Sequence, residues 1–175
     1  AMMTMQYTMS ILNLVNMLNQ YKIEFMIDFL GNESLITRAR NKSLAKFLQT
    51  DCTHLLFIDS DIEFPAQAVL DLLFFDRDVS CCTYPKKGFN WNKFIYSMQN
   101  ETSSQENPES RGLDFAYNIC YDENNNLIKD DNFIKVNHAA TGFMMIKRSI
   151  VAVSYTHLRA HETLMNLVCR LLLEK

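Results

Sequence analysis

Glycine and proline are scarce in this chain of 175 residues, which contains 4 glycines and 3 prolines. Average proteins carry about 7% glycine and about 5% proline, so collagen-like and low-complexity architectures are excluded. No apolar run approaches the roughly 20 residues that span a bilayer, and no signal peptide is recognisable at the start of the chain. A net charge of −3 argues against a broad electrostatic surface for nucleic acid or anionic membrane. We therefore expect no nucleic-acid partner and no membrane span.

The five cysteines are scattered, and no two of them form a C-x-x-C pair. Cys81 and Cys82 are adjacent, a spacing at which a disulfide between them would be strained. An odd, scattered set of cysteines is typical of a reducing compartment, where thiols act as small core side chains. The sequence therefore predicts a cytoplasmic protein.

The remaining composition is typical of one packed domain, with 48% apolar and 21% charged residues. We expect this domain to cover residues 1–152. Residues 153–175 resemble a translated adapter-like tail and are predicted to be non-native. His157 and His161 lie four residues apart within it, but the Glu placement of a zinc-binding HExxH or HxxEH motif is missing. We expect no zinc site there.

Hydrophobic spacing predicts alternating helices and strands. Apolar residues at i, i+3, i+4 and i+7 predict a helix over roughly 5–20, and Ser34 is a suitable N-cap for a second helix ending near Leu48. Strands are predicted at 23–30, 55–58, 79–84, 113–121, 133–136 and 143–146, with helices after Pro65 and from Lys147. This alternation indicates right-handed βαβ units, and hence an α/β fold with an open, mostly parallel mixed sheet flanked by helices.

The segment 86–111 is polar and has neither a helical nor a strand period. A stretch of this length inside a compact domain is usually a functional loop or lid. The strands predicted at 113–121 and 133–136 are expected to form a hairpin around the polar residues 122–126.

Asp59 and Asp61 directly follow the apolar run 55–58, whose composition predicts a strand buried on both faces of a largely parallel sheet. Ligands of open α/β sheets bind beyond the carboxyl ends of the strands. In extended backbone, residues i and i+2 project to the same side, so both carboxylates are expected to converge. Such oxygen ligands suit Mg²⁺ or Mn²⁺, with water and phosphate oxygens completing the shell. A lone Asp-x-Asp also occurs in turns, caps and solvated surfaces; its position after an apolar strand favours the metal site.

Three ordered motifs resemble the GT-A glycosyltransferases: ESLITRARN (33–41), THLLFIDSDIEFP (53–65) and DVSCCTYPKK (78–87). TGFMMIKR (141–148) resembles a later strand of the same group. The similarity is strongest to viral, phage and bacterial members and is more distant to the fungal Anp1-type mannosyltransferases. It covers roughly residues 5–150.

The resemblance implies a role for five residues. Asp59 matches the acid that faces the ribose and sugar, and Asp61 matches the direct metal ligand, so both are candidate metal ligands. Arg38, Arg40 and Asn41 match the segment that lies against the nucleotide-sugar, and Asp59 joins them as a nucleotide-sugar-binding residue. A guanidinium fork binds phosphate oxygens bidentately. The alternative for both arginines is a solvated helix face.

The resemblance further implies a Rossmann-like nucleotide-sugar fold, a nucleotide-diphosphate-sugar donor, an acceptor hydroxyl and Mn²⁺ or Mg²⁺. The family's opening strand would precede this chain, and its catalytic base would lie beyond Ile150. We therefore expect weak donor binding and poor turnover. Lys86 and Lys87 could assist the phosphates or form an exposed basic pair.

Two alternative functions stay open. Haloacid-dehalogenase-type phosphatases also place Asp-x-Asp after a buried strand, but their DxDxT motif needs a hydroxyl residue where Glu63 stands here. The other alternative is a non-catalytic module that binds a nucleotide-sugar.

Overall fold

The computed structural model describes residues 3–30, 35–100, 107–151 and 169–172. The helices are α1 (Met5–Gln20), α2 (Ile36–Phe47), α3 (Ala66–Phe75) and α4 (Trp91–Asn100), with a 3₁₀ helix at Pro108–Gly112. The strands are β1 (His54–Ile58), β2 (Val79–Cys82), β3 (Tyr117–Ile119), β4 (Lys129–Asp130), β5 (Phe133–Ala139), β6 (Phe143–Lys147) and β7 (Cys169–Leu172). The predicted α/β class is confirmed.

The strands form one mixed sheet in the order β1-β6-β2-β7-β5-β3, with β4 pairing to β5. Among the described strands, the only parallel pair is β2 with β7. The predicted mostly parallel pairing is therefore not what these strands form. The reason lies in β6, which inserts antiparallel between β1 and β2. Those two strands run in the same direction, as the βαβ pattern predicts, but they are not neighbours.

Strand β1 occupies an edge of the described sheet, because β6 is its one pairing partner there. All five of its residues are half-buried and its neighbour β6 is antiparallel, so β1 is less buried than predicted and does not lie in a parallel sheet. A continuous apolar run indicates that other elements cover both faces of a strand. In β1, Leu56 and Phe57 pack against core clusters on opposite faces of the sheet. Such a run does not indicate whether another strand pairs with each edge of the strand.

Strand β6 is the central element of the core, since its residues 143–146 are all buried. Phe143 and Met145 pack with α1 and α3, whereas Met144 and Ile146 pack with α2. Successive side chains of a strand point to opposite faces, so the sheet separates two helical layers. The predicted strand at 143–146 is confirmed.

The predicted strand at 23–30 is wrong. Within the described chain this segment forms no ladder with another strand. Its large side chains are mostly exposed, including Met26 at 57% and Phe29 at 61%. Apolar content marked the segment as strand-like, but a strand exists only where a neighbour supplies hydrogen-bonding partners.

The predicted loop at 86–111 is also wrong in part, because α4 and the 3₁₀ helix lie within it. Asn90 starts α4 by accepting a hydrogen bond from the backbone N–H of Lys93 through its side-chain oxygen (3.1 Å). Phe89, Trp91 and Phe94 form an aromatic cluster at the start of the helix. Trp91, Phe94, Ile95 and Met98 stand at i, i+3, i+4 and i+7, so the segment carries a helical apolar period that the sequence analysis missed.

Helix α1 matches its predicted bounds, and the Thr4 side chain caps it by accepting from Tyr7 N (3.1 Å). Helix α2 begins after Leu35, and the predicted cap Ser34 lies outside the described residues. Leu44 and Phe47 are buried on its predicted core face, and Leu48 packs against the same cluster. Pro65 stands at the N-cap of α3.

The predicted antiparallel pairing is confirmed, because β3 lies antiparallel to β5. The predicted turn is misplaced: residues 122–126 close a separate turn between Tyr121 and Leu127, and the chain reverses into β5 only after β4. Strand β7 falls within the segment predicted to be a non-native tail, and it pairs with β2 and β5. His157 and His161 lie outside the described residues. In the part of the chain that the structure describes, every helix is too short or too polar to cross a membrane.

Candidate functional site

The acidic motif lies in a tight turn at the carboxyl end of β1. Ile62 N donates to Asp59 O (3.2 Å), which closes the turn with Ser60 and Asp61 at its centre. The expectation of extended backbone through Asp61 is therefore wrong, because β1 ends at Ile58 and the chain turns toward α3. The turn, rather than strand alternation, positions the two carboxylates.

Helix α1 holds this turn from one side. Thr4 N donates to Ser60 O (3.3 Å) at the start of the helix. One and a half turns later, the buried Ser10 Oγ accepts a hydrogen bond from Phe64 N (3.0 Å). Buried backbone donors need such partners, so these contacts tie the chain on both sides of Asp61 to α1.

Arg40 of α2 is held against Asp59. Its Nη1 donates to Thr141 O (2.7 Å) and its Nη2 lies 3.3 Å from Asp59 Oδ1. The guanidinium also lies over the Phe57 ring, 4.8 Å from the centroid. Burial lowers the pKa of Arg40, and the negative charge of Asp59 opposes this effect. The side chain is 19% exposed, so three contacts fix a charged group that little water reaches.

Asp61 meets a different cation, because Lys87 Nζ lies 2.5 Å from Asp61 Oδ2. The Lys87 side chain is 90% exposed, and the hydrogen bond to Asp61 raises its pKa. An exposed lysine on a flexible stem can leave this contact at little cost. The backbone N–H of Lys86 donates to Asp114 O (2.7 Å). Of the two lysines, the structure therefore brings Lys87 to the acids.

Gly142 connects Asp59 to the neighbouring strands. Its carbonyl accepts from Asp59 N (2.8 Å), and its N–H donates to Tyr84 Oη (2.9 Å). A Cβ atom at this position would lie 2.7 Å from Asp59 Oδ2 and would also collide with the Tyr84 hydroxyl. The close approach of backbone, carboxylate and phenol therefore requires glycine here.

Tyr84 is a site residue that the sequence analysis did not identify. Burial raises its pKa, and the nearby negative charges of Asp59 and Asp61 raise it further. Tyr7 of α1 shows the same pattern, with burial first and Asp59 second. Both phenols therefore stay neutral at physiological pH and are available as hydrogen-bond groups beside the carboxylates.

A sequence signal for these residues did exist. Tyr84 follows β2, which runs in the same direction as β1, and Gly142 precedes the antiparallel β6. Both positions therefore lie at the edge of the sheet where Asp59 lies. Their positions next to strand ends can be read from the sequence. That these ends lie beside Asp59 follows only from the strand order, in which β6 lies between β1 and β2.

Arg38 and Asn41 do not join Arg40 at the acids. Helix positions advance by about 100° per residue, so Arg38 lies on nearly the opposite side of α2 and Asn41 a quarter-turn away. Both residues are exposed. Of the three predicted residues, Arg40 is therefore the one that the structure places at the carboxylates.

The two acids are accessible enough to receive a cation. The Asp59 side chain is 52% exposed and that of Asp61 is 42% exposed. Among the described residues there is no group of three or more His, Cys, Asp or Glu side chains that could enclose a metal ion. Two carboxylates at a surface turn match the way Mg²⁺ and Mn²⁺ bind, with few protein ligands and several positions left for water or phosphate oxygens.

Comparisons with known proteins bear on the fold. No protein family and no curated protein matches this chain. Four solved chains match its structure. One of them is A197 from STIV, with a TM-score of 0.50 and 21% sequence identity, over 92% of this chain and 74% of A197. At this identity the similarity supports a shared fold and nothing about activity.

Proposed function

We propose that this chain is a metal-dependent glycosyltransferase of the GT-A type, which moves a sugar from a nucleotide-diphosphate-sugar to an acceptor hydroxyl. The observation that carries the proposal is the pair of exposed carboxylates, Asp59 and Asp61, in a hydrogen-bonded turn beside the anchored Arg40. The mixed α/β sheet, with the acids beyond a strand end, supports the same fold assignment. We propose the cytoplasm as its location, on the basis of the scattered cysteines.

Asp61 and Asp59 would hold the Mn²⁺ or Mg²⁺ ion. Bound there, the ion would neutralise the charge of a departing nucleoside diphosphate. One oxygen of each acid already faces a cation, Arg40 for Asp59 and Lys87 for Asp61. In the described part of the chain no hydrogen bond reaches Asp59 Oδ2 or Asp61 Oδ1, so each acid keeps an oxygen for a further ligand.

Arg40 and Lys87 have different roles in this proposal. Arg40 is fixed by Thr141 O and by the Phe57 ring, so its contact with Asp59 Oδ1 orients that carboxylate before any ligand arrives. Lys87 is exposed and movable, so it can exchange Asp61 for the phosphate oxygens of a donor. The neutral Tyr84 hydroxyl supplies a polar wall to the same space.

A thermal-shift panel tests the proposal. Nucleoside diphosphates are added to the whole chain with and without Mn²⁺, and the unfolding midpoint is measured. A ligand that binds the native state at 100 times its Kd adds about 2.7 kcal/mol of stability. We expect at least one nucleotide to raise the midpoint only when Mn²⁺ is present, and Asp61→Asn to abolish this rise.

Asp71→Asn is the matched control, because it removes the same charge from a partly exposed acid on α3 whose carboxylate accepts from Gln67 Nε2 (2.8 Å). It should keep the full response. A response that survives in Asp61→Asn contradicts the proposed metal role. Hydrolysis of an aryl phosphate without nucleotide binding indicates the phosphatase instead, and metal-dependent binding in a longer chain that transfers no sugar indicates the binding module.

A further inference from the structure

Two tyrosines beside Asp59 carry hydroxyl protons that the described fold does not use. Tyr7 is 6% exposed, and its ring lies in the core cluster between the sheet and helices α1 and α3. Tyr84 is partly buried against the same cluster. Among the described residues neither phenol donates a hydrogen bond, and the Tyr7 oxygen accepts none. A buried Tyr hydroxyl usually has a partner, so two unused protons at one place require an explanation.

Helix α1 holds Tyr7 against the turn that carries the acids. Thr4 N donates to Ser60 O (3.3 Å), and Ser10 Oγ accepts from Phe64 N (3.0 Å). Tyr7 stands three residues from both Thr4 and Ser10, and residues three apart are neighbours on a helix surface. The phenol ring is therefore fixed between the two points at which α1 is tied to the turn.

Tyr84 approaches Asp59 through Gly142. Its Oη accepts a hydrogen bond from Gly142 N (2.9 Å), which leaves its O–H as a donor. A Cβ atom at Gly142 would collide with the Tyr84 hydroxyl and would lie 2.7 Å from Asp59 Oδ2, so both oxygens border the same point of the backbone. Burial is the main cause that raises the pKa of Tyr7 and of Tyr84, and the charge of Asp59 contributes at each. Both hydroxyls therefore lie within electrostatic reach of this carboxylate.

The two oxygens of Asp59 have different surroundings. Oδ1 lies 3.3 Å from Arg40 Nη2, and Arg40 lies over the Phe57 ring, which packs into the core on the α2 side of the sheet. Oδ2 lies toward Gly142 and Tyr84, whose ring packs on the side of α1 and α3. A ligand at Oδ2 therefore meets a carboxylate, which accepts protons, next to phenols, which donate them.

We propose that Tyr7, Tyr84 and Asp59 Oδ2 together bind two neighbouring hydroxyl groups of a sugar ring, an inference that rests on the proposed function. A sugar hydroxyl both donates and accepts, so it can donate to the carboxylate and accept from a phenol. An ionised phosphate oxygen has no proton to give Asp59, and the exposed Lys87 beside Asp61 suits it better. A carboxylate oxygen has two lone pairs, so Asp59 Oδ2 can accept this hydrogen bond and still face the metal ion.

Two parts of a nucleotide-sugar carry such a hydroxyl pair, namely the ribose of the nucleotide and the transferred sugar. Calorimetric titrations of the whole chain with Mn²⁺ distinguish them, using UDP, GDP, their 2′-deoxy analogues, UDP-glucose and GDP-mannose. If the site binds the ribose, the 2′-deoxy analogue should bind the unsubstituted chain more weakly than its parent diphosphate. If the site binds the transferred sugar, the nucleotide-sugar should bind more tightly than the diphosphate.

Tyr7→Phe is the cleanest variant, because the hydroxyl it removes has no hydrogen-bond partner in the described chain, so the unfolding midpoint should not change. We expect it to weaken binding of the discriminated ligand roughly three- to tenfold, to remove most of the discrimination, and to leave Mn²⁺ binding unchanged.

Tyr84→Phe should act in the same direction, but it also leaves Gly142 N without its acceptor, so its affinities are measured below its unfolding transition. Tyr21→Phe, at the other end of α1, is the matched control and should change neither affinity nor discrimination.

The outcomes separate this inference from the proposed function. If no nucleotide binds the unsubstituted chain in a Mn²⁺-dependent way, the proposed function fails and the inference fails with it. If such binding occurs without any discrimination between the ligands, or if Tyr7→Phe keeps the full discrimination, the proposed function stands and the hydroxyl-binding role of the tyrosines is overturned.

Discussion

The two ends of β1 use similar charges in different ways. At its amino end, His54 Nε2 lies 3.2 Å from Asp76 Oδ1 and Lys147 Nζ lies 2.8 Å from Asp76 Oδ2, so both carboxylate oxygens are engaged. At its carboxyl end, Asp59 and Asp61 each give one oxygen to a cation. The first end is a closed network that joins α3, β1 and β6, and the second is open to a ligand.

The contrast shows that charge content alone does not identify a site. Asp76 caps α3 in the left-handed conformation (φ 50°), where its own backbone and side chain both serve the fold. Asp59 and Asp61 instead project from a turn whose backbone is held by other groups, Thr4 on one side and Gly142 on the other. Their carboxylates are therefore not needed to hold the turn together.

Of the substitutions proposed here, Gly142→Ala should disturb the packing around Asp59, at the carboxyl end of β1, most strongly. The added Cβ requires Asp59 and the Tyr84 hydroxyl to move, and overpacking of this kind costs roughly 1–3 kcal/mol of unfolding free energy. Denaturant unfolding measures this loss, and the metal-dependent nucleotide response should disappear with it. Thr141→Ala is the control, because Arg40 uses only the carbonyl of that residue. An unchanged nucleotide response in Gly142→Ala would contradict the described packing.

Arg40→Lys keeps the positive charge beside Asp59 but removes the guanidinium group, which donates two hydrogen bonds there. A single ammonium cannot replace the bonds to Thr141 O and Asp59 together with the contact on Phe57. We expect the unfolding free energy to fall by about 1–2 kcal/mol in urea titrations. Arg77→Lys is the matched control at an exposed pair with Asp130, where a loss of at most about 1 kcal/mol is expected. Equal losses of unfolding free energy at both positions would show that the contacts of Arg40 stabilise the fold no more than an exposed ion pair does.

Asp76→Asn tests the closed end through pH. The hydrogen bond from Lys147 is the main cause that holds the pKa of Asp76 below its ordinary value of 3.8. A lowered carboxyl pKa stabilises the fold above the unfolded-state value, and this stabilisation is lost as the pH falls through the folded-state value. The midpoint of Asp76→Asn should therefore lie below that of the unsubstituted chain at neutral pH and approach it below about pH 4.

The asparagine retains the preference for positive φ, so the comparison isolates the charge of residue 76. Asp51→Asn on the surface provides the reference for a general change in net charge. A difference between Asp76→Asn and the unsubstituted chain that stays constant into the acid range would show that the ion pairs with Asp76 do not stabilise the fold.

Lys87→Ala should have the smallest effect on stability. Its exposed pair with Asp61 is screened by solvent, so the unfolding midpoint should not change. Removing the lysine frees Asp61 Oδ2, and the apparent affinity for Mn²⁺ without nucleotide should rise. Calorimetric titration with MnCl₂ measures this change, and a fall in Mn²⁺ affinity would show that Lys87 does not compete at Asp61.

The sequence was a good guide to local features. The helical pattern of α1 and the core face of α2 at Leu44 and Phe47 follow from side-chain periodicity, and strand β6 follows from its continuous apolar run. The candidate acids were also found locally, because Asp59 and Asp61 stand directly after an apolar run. These features depend on residues that are close in the chain.

The misassigned elements depend on distant residues. Residues 23–30 have strand-like composition but no ladder partner within the described chain, and α4 is held by a segment further along the chain, since Lys93 Nζ donates to Leu113 O (2.6 Å). Likewise, the sequence does not distinguish Arg38, Arg40 and Asn41. The orientation of α2 about its axis determines that Arg40 is the one that reaches Asp59.

The sequence by itself determined where the acids lie in the chain and which helix faces are apolar, since each of these is a property of residue order. The tertiary structure decided that β6 separates β1 from β2, and that decision brought Gly142, Tyr84 and Arg40 to Asp59. The physical reason is that strand order is set by hydrogen bonding and packing between segments that lie far apart in the chain, which no local pattern encodes.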